Sequence, residues 1–302
     1  MRQTIPIVVH GDEGRSKKNS PFLVLSFHTL LGRGIETELH GPNPRKRKHV
    51  KMLCNFVGHS YTNRYLLSAL PKEDYTNKNS FVFEILMKTL VDELTHLAET
   101  GVSHDGSQYH VYCVGMAGDW PWLVKSGSLQ RSFWNVAKHP GQANRVEGKG
   151  ICHLCMAGRR AFPYEELGTR KPAWLASVLT QPPFDEANHP FHFHVVPHVA
   201  GQLPTLWKFD LFHTVHLGIG KNYLGSMLAL LSQQEAGGTV DTRFELLSAK
   251  YRSWCSSNHR LPHCKRITKE HVNWVSTTCY PTGSWHKGDL TTSLLLFCEA
   301  MY

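Results

Sequence analysis

Residues 5–19 read IPIVVHGDEGRSKKN, and they pose the first question about the fold. An apolar run over residues 5–9 is followed within four positions by a glycine and two acids, of which Asp12 is the first. One interpretation is a β-strand that ends in a solvated turn. The other is a strand that carries a metal-binding carboxylate to the mouth of an α/β sheet, where it faces a polyanion. The rest of the chain has to decide between them.

The composition favours a folded protein with a polyanionic partner. The chain has 302 residues, 41% of them hydrophobic, and a formal net charge of +9, which favours association with phosphate-rich molecules. No apolar stretch has the length of a membrane span, and the N-terminus lacks the features of a signal peptide. Eight cysteines in so long a chain do not suggest a disulfide framework. We therefore expect an intracellular protein, and the alternative that the chain is a piece of a longer one is left open.

The first 125 residues predict three strands, one helix and a fourth strand. Residues 4–10, 21–31 and 61–70 are rich in β-branched and aromatic side chains, which is typical of strands. From Asn79 to Gly101, leucines and a phenylalanine recur at steps of three and four, which predicts an amphipathic helix. Residues 109–120 return to strand character and end on glycine and Asp119.

The remainder is less regular, and we divide it into two further parts. Residues 126–200 form a Cys/His-rich insertion, in which HPFHFHVVPH (189–198) alternates like a strand. Residues 201–302 are mostly helical, with helices predicted over 214–234 and 241–256. Residues 1–125 form the core that carries the first two acids.

The order of the first elements predicts a ribonuclease-H-like α/β fold. Its mixed sheet would have strands 3-2-1 antiparallel and strands 1 and 4 parallel, with the helix as the crossover that parallel neighbours require. The carboxyl ends of strands 1 and 4 would then place Asp12 and Asp119 side by side. We expect their carboxylates within about 4 to 7 Å of each other, where with a third acid they would hold two Mg²⁺ or Mn²⁺ ions for phosphodiester chemistry.

The chain resembles the catalytic core of eukaryotic DDE transposases, nearest the CACTA-like, Plavaka and Kyakuja–Dileera–Zisupton groups. Five segments carry the resemblance, and their order is more specific than any one of them. They are IPIVVHGDEG with FLVLSFHTLLG, FVFEILMKTLVDELTHLAETGV, VYCVGMAGDWPWLVKSGSL, GICHLC, and FDLFHTVHLGIGKNYLGSMLALL.

This resemblance implies a nuclease and strand-transfer activity on DNA, with possible self-association. It makes Asp12 and Asp119 the first two catalytic acids, and Asp210 and His213 the family's Asp-x-x-His pair. The third acid is not placed by any motif. Its candidates are Glu235, Glu245, Asp289 and Glu299, and we expect none of them to approach both Asp12 and Asp119.

A second metal is suggested by the Cys-x-x-Cys spacing of Cys152 and Cys155, which is that of a zinc knuckle. The histidines most concentrated near this pair are His192 and His194, which are the candidates for its further metal ligands. The alternative is a pair of structural thiols beside histidines that bond to the backbone.

Basic residues suggest where DNA would bind. The cluster Arg45, Lys46, Arg47 and Lys48 has the charge density of a phosphate-contacting loop or a nuclear-import signal. Lys125 and Arg131 lie among aromatic residues after the second acid, an arrangement that suits stacking on bases. A solvated loop and ordinary core aromatics are the alternatives. We expect a nuclear protein with no membrane partner and no small-molecule substrate.

Two other functions remain open. The first is a DNA- or protein-binding derivative that keeps the fold and has lost catalysis. The second is a non-haem iron oxygenase, because His10-x-Asp12 with a distant histidine has the pattern of its facial triad. That chemistry belongs to a double-stranded β-helix, whereas this chain predicts a long helix between its third and fourth strands.

Overall fold

The computed structural model describes residues 3–15, 21–32, 53–54, 63–76, 80–135, 149–166, 168–185, 189–274 and 280–301. The chain divides into two compact units, Met1–Lys208 and Phe209–Tyr302, which we call the first and second units. Each is described by itself.

The first unit is an α/β structure built on a mixed five-stranded sheet. Its strand order is β5-β2-β1-β7-β6, and β3 and β4 form a separate two-stranded pair. The first three long strands are antiparallel, and β1 pairs in parallel with β7. These pairings confirm the predicted arrangement of the four long strands, to which β6 adds an edge. The strands are β1 (Gln3–Arg15), β2 (Pro21–Thr29), β3 (Leu31–Gly32), β4 (Leu53–Cys54), β5 (Tyr65–Pro71), β6 (Val102–His104) and β7 (Ser107–Gly118).

Helix α1 (Ser80–Glu99) is the predicted helix between the third and fourth long strands. Its buried residues follow steps of three and four, as the amphipathic pattern requires. The buried stripe comprises Phe83, Met87, Val91, Leu94 and Ala98. Burying each large apolar side chain contributes about 1.5–3 kcal/mol, so this stripe is what holds α1 to the sheet.

Strand β7 contains a bulge that changes which residues face the helices. Ile7 of β1 pairs with Cys113, and Val8 pairs with Gly115, so Val114 is the extra residue. The strand ends at Gly118, whose φ of 142° favours glycine; a Cβ there would collide with the carbonyl oxygen of Gly11. Two glycines therefore let the carboxyl ends of β1 and β7 approach closely.

Helix α2 (Trp120–Gly127) begins directly after β7. Asp119 is its N-cap: the carboxylate accepts a hydrogen bond of 2.9 Å from the backbone N–H of Trp122. Pro121 in the first turn suits a helix start, where its missing N–H costs no hydrogen bond. Asp119, the second predicted catalytic acid, therefore caps α2 in addition to lying at the edge of the sheet.

Residues 126–200 contribute aromatic and aliphatic side chains, such as Leu129, Phe184 and Phe193, to the same hydrophobic core as the sheet. The predicted strand at 189–198 is wrong. That segment forms turns and the 3-10 helix Phe193–Val195, since Pro190 and Pro197 lack the N–H groups of a ladder and His192 adopts a left-handed φ of 54°. Further 3-10 helices are Lys72–Asp74, Phe133–Asn135, Ala173–Ser177 and Leu203–Leu206.

The second unit is helical. It contains a π-type helix (Phe212–Ile219), α3 (Gly220–Gln233), α4 (Val240–Ser257) and α5 (Gly288–Met301), and the first three include the predicted helices. Its core is lined by residues such as Leu228, Phe244, Leu247 and Phe297. Among the described residues of both units, no helix is long and apolar enough to cross a membrane.

Candidate active site

The two acids at the end of β1 face opposite sides of the sheet. Side chains alternate along a strand, and β1 pairs with β2 without a register shift from Ile7 to Arg15. Glu13 lies opposite Leu23, which is 4% exposed in the core, whereas Asp12 faces the other way. Gly11, two residues before Glu13, lies against the indole of Trp122. The side of the sheet that carries α2 therefore receives Glu13.

A cleft of about 440 Å³ opens at the carboxyl end of β1 and β7. Glu13 and Asp119 both line it, while Asp12 is not among the described residues that do so. The predicted parallel pairing is confirmed, yet the first acid to face this cleft is one residue further along than predicted. The separation of the Asp12 and Asp119 carboxylates stays a prediction. The described lining residues are Glu13, Leu23, Tyr75, Thr76, Phe83, Asp119, Pro121, Trp122 and Lys125.

Glu13 is held by two donors. The Tyr75 hydroxyl donates a hydrogen bond of 2.8 Å to one carboxylate oxygen, and the Lys72 ammonium lies 3.3 Å from the other. Burial raises the pKa of Tyr75 well above its usual value, and the hydrogen bond to Glu13 and the negative charges of Glu13 and Asp119 raise it further. Tyr75 therefore stays protonated at neutral pH and remains a donor. The exposed Lys72 pair adds little stability.

Lys125 brings a cation into the same cleft. Its ammonium lies 4.4 Å from the ring centroid of Phe83 and 4.9 Å from that of Tyr75, distances typical of cation–π contacts. Burial lowers the pKa of Lys125, and the charge of Glu13 opposes that shift. The Trp122 indole N–H is buried without a hydrogen-bond partner among the described residues. The cleft thus combines two carboxylates with one cation.

The predicted Asp-x-x-His pair lies in the second unit. The Asp210 carboxylate accepts a hydrogen bond of 2.7 Å from Nδ1 of His213. Burial raises the pKa of Asp210, but the hydrogen bond and charge of His213 and the backbone N–H groups outweigh it, so that the net shift is downward. The pairing of these two residues is therefore as the motif suggests, and their catalytic role stays a prediction.

The four candidate third acids also lie in the second unit. Glu235 pairs with Lys250 at 2.7 Å, and Glu245 pairs with Arg266. Asp289 lies in the first turn of α5, and Glu299 is on the same helix. The expectation that none of the four approaches both Asp12 and Asp119 stays a prediction.

Cys152 and Cys155 face each other as free thiols. The Cys155 thiol donates to Cys152, and the backbone N–H of Leu154 lies 3.4 Å from the Cys152 sulfur. Although burial opposes it, this hydrogen bonding and the nearby charge of Arg131 lower the pKa of Cys152 to about 6. The turn is compatible with a zinc knuckle, but no group of three His, Cys, Asp or Glu residues assembles within the described part of the chain.

His192 and His194 project outward while the phenylalanines beside them are buried. Phe191 and Phe193 are at most 5% exposed, and the two imidazole rings lie 5.8 Å apart at the surface. The alternation in this segment therefore serves to anchor a turn. Zinc binding by these histidines stays a prediction.

The structure gives Arg131 a structural role, and its predicted contact with nucleic acid stays a prediction. Arg131 is 2% exposed, and its guanidinium donates to the carbonyl oxygens of Cys152, His153, Gln181 and Pro182. It ties two loops together. Lys125 remains available in the cleft, and Arg45, Lys46, Arg47 and Lys48 lie outside the described residues.

Sequence reasoning missed Glu13 and Tyr75. A signal for Glu13 was present, because Ile7 and Val9 occupy the buried face of β1 and Glu13 shares their parity. Tyr75 follows a short 3-10 turn that has no distinctive motif. The chain matches no protein-family model, and no curated protein matches it either.

Proposed function

We propose that this chain is a DDE-transposase-like core that carries out Mg²⁺-dependent hydrolysis and strand transfer on DNA in the nucleus, with a ribonuclease-H-like fold. The observation that carries the proposal is the parallel pairing of β1 with β7, which brings acids to adjacent strand ends. Ligands of open α/β sheets bind at that edge. The cleft found there contains Glu13 and Asp119.

The acids of the cleft suit a hard cation. Mg²⁺ is commonly bound by one or two carboxylates and keeps its other positions for water and phosphate. We assign Asp119 and Glu13 as its protein ligands in the cleft, in place of the pair Asp12 and Asp119. When bound there, Mg²⁺ would neutralise charge on the reacting phosphoryl oxygens.

The other cleft residues would position the DNA. Lys125 offers a cation to a backbone phosphate, and its contacts with Phe83 and Tyr75 limit where the ammonium can go. Tyr75 holds the Glu13 carboxylate in one orientation through its hydroxyl.

A second candidate is a derivative that binds DNA without cleaving it. It is favoured by the engagement of Glu13 with both Lys72 and Tyr75. The oxygenase alternative is disfavoured because the mixed sheet with its helix α1 is not a double-stranded β-helix.

The test is nicking of supercoiled DNA in Mg²⁺ or Mn²⁺ by four proteins: wild type, Glu13→Gln, Asp119→Asn and Asp12→Asn. We expect the first two substitutions to abolish nicking, and Asp12→Asn to retain it as the matched control on the opposite face. Asparagine can still cap α2, so Asp119→Asn should fold.

If Asp12→Asn loses nicking and Glu13→Gln keeps full activity, then Asp12 and not Glu13 is the catalytic metal ligand. Equal activity in all four proteins would refute a role for either strand end. A wild-type protein that binds DNA but does not nick it with either metal would establish the non-catalytic derivative.

A further inference from the structure

We propose that a second cavity of the first unit, separate from the acidic cleft, binds a phosphate group. This basic pocket has a volume of about 410 Å³. The described residues that line it are Gln130, Arg131, Lys149, Arg159, Pro182 and Pro183. Three are cationic, one is an amide, and none of them is an acid.

Arg131 gives the pocket a fixed positive charge. All of its donors are directed at backbone carbonyls and the sulfur of Met156, so its guanidinium cannot turn away. Among the described residues, no carboxylate accepts a hydrogen bond from this guanidinium, and the nearby Cys152 and Cys155 are the groups whose negative charge favours its charged form. Burial lowers the pKa of Arg131, and the positive charge of Arg159 lowers it further. An anion in the pocket would offset the repulsion between the guanidinium groups of Arg131 and Arg159.

Arg159 and Lys149 provide the free donors. The Nε atom of Arg159 is buried with no hydrogen-bond partner among the described residues. Within that part of the chain, the ion pairs include neither Arg159 nor Lys149. The amide of Gln130 adds a further donor beside them. Two prolines complete the wall without competing N–H groups.

These features select a phosphate over other anions. The space is far larger than a halide requires, and Gln130, Lys149 and Arg159 all line it, which gives a multi-oxygen anion more than one donor group. A guanidinium fork matches phosphate oxygens in pairs. The net charge of +9 favours the DNA backbone as the source of that phosphate.

The inference stands apart from the proposed cleavage, because it concerns binding in the absence of a divalent metal. The experiment compares wild type, Arg159→Gln, Lys149→Gln and Arg160→Gln in EDTA. Arg160 is the matched control, since it is an exposed arginine next in the chain that does not line the pocket. Each protein is titrated with a fluorescent DNA duplex over a range of KCl concentrations, and separately with inorganic phosphate by calorimetry.

We expect Arg159→Gln to weaken duplex binding about tenfold, as loss of a charge-assisted hydrogen bond would. It should also reduce the slope of log K against log salt by about one. Lys149→Gln should act in the same direction, and Arg160→Gln should leave affinity within about twofold. Millimolar phosphate should bind to wild type and compete with the duplex.

One outcome is that Arg159→Gln loses phosphate binding while its affinity for the duplex is unchanged. That result would support a phosphate site in this pocket and would identify its ligand as a free phosphorylated molecule. The proposal would be overturned if Arg159→Gln and Lys149→Gln both bind the duplex and phosphate with the same affinity as Arg160→Gln. Arg131 is not used in this test, because its substitution is expected to destabilise the fold.

Discussion

Replacing Arg131 with methionine should destabilise the first unit severely, although the sequence suggests a surface residue that contacts DNA. The side chain is 2% exposed. Its guanidinium bonds to four carbonyl oxygens, from Cys152 and His153 in one loop and Gln181 and Pro182 in another, at 2.6 to 3.1 Å. Methionine has comparable length and no donor, so the substitution removes every one of these bonds.

The size of the effect follows from those four bonds. At about 1 kcal/mol net for each bond, the loss is about 4 kcal/mol, and buried carbonyls left without donors add to it. A typical domain is stable by about 5–15 kcal/mol, so this is a large fraction of the total. For a unit with the length of Met1–Lys208, a loss of about 4 kcal/mol should lower the melting temperature by about 8 to 16 °C.

The measurement is urea unfolding followed by tryptophan fluorescence, with Trp120, Trp122 and Trp207 as buried reporters. Arg160→Met is the control, and its midpoint should match that of wild type because Arg160 is exposed. Arg131→Lys should be intermediate, since an ammonium has three donors and lacks the fork geometry. A stability loss under about 1 kcal/mol for Arg131→Met would refute the reasoning.

Two further predictions concern titration. Burial lowers the pKa of His153 to about 4, although its Nε2 donates a hydrogen bond to the carbonyl of Trp207. As the pH falls, the unfolded chain therefore binds a proton at this histidine before the folded chain does. The free energy of unfolding should decrease by about 3 kcal/mol as the pH drops from about 6.5 to 4. His153→Gln should flatten that pH dependence in urea titrations, and an unchanged slope would contradict this. The Cys152 thiol should be alkylated by iodoacetamide with an inflection near pH 6, which should move upward in Cys155→Ala. Cys264, whose pKa burial raises to about 11, serves as the slow control, and an inflection for Cys152 above about pH 8 would exclude the hydrogen-bonded thiolate.

The elements of the sheet were predictable because their signals are local. Alternation and β-branched content mark β1, β2 and β7, and steps of three and four mark α1. Their order along the chain implies a parallel pairing of β1 with β7, since α1 supplies the crossover. The incorrect strand prediction at residues 189–198 also has a local cause, because the alternation of phenylalanine and histidine is the same in a strand and in this turn.

The candidate site was predictable only to its neighbourhood. The sequence places two acids at adjacent strand ends, and the pairing of Gly11 with Gly118 shows that these strand ends lie side by side at one edge of the sheet. It does not reveal that Tyr75 reaches Glu13, because the two residues are 62 positions apart. Contacts over such separations depend on the path of the chain between them.

The sequence alone determined the α/β class, the four long strands, helix α1 and the concentration of acids where β1 and β7 end. Tertiary structure decided which acid enters the cleft and which cation is buried. Side chains on a strand alternate, so a single position separates Glu13 in the cleft from Asp12 on the other face. Arg131 has the sequence context of a DNA-contacting residue, and only the packing of two distant loops around it makes it structural.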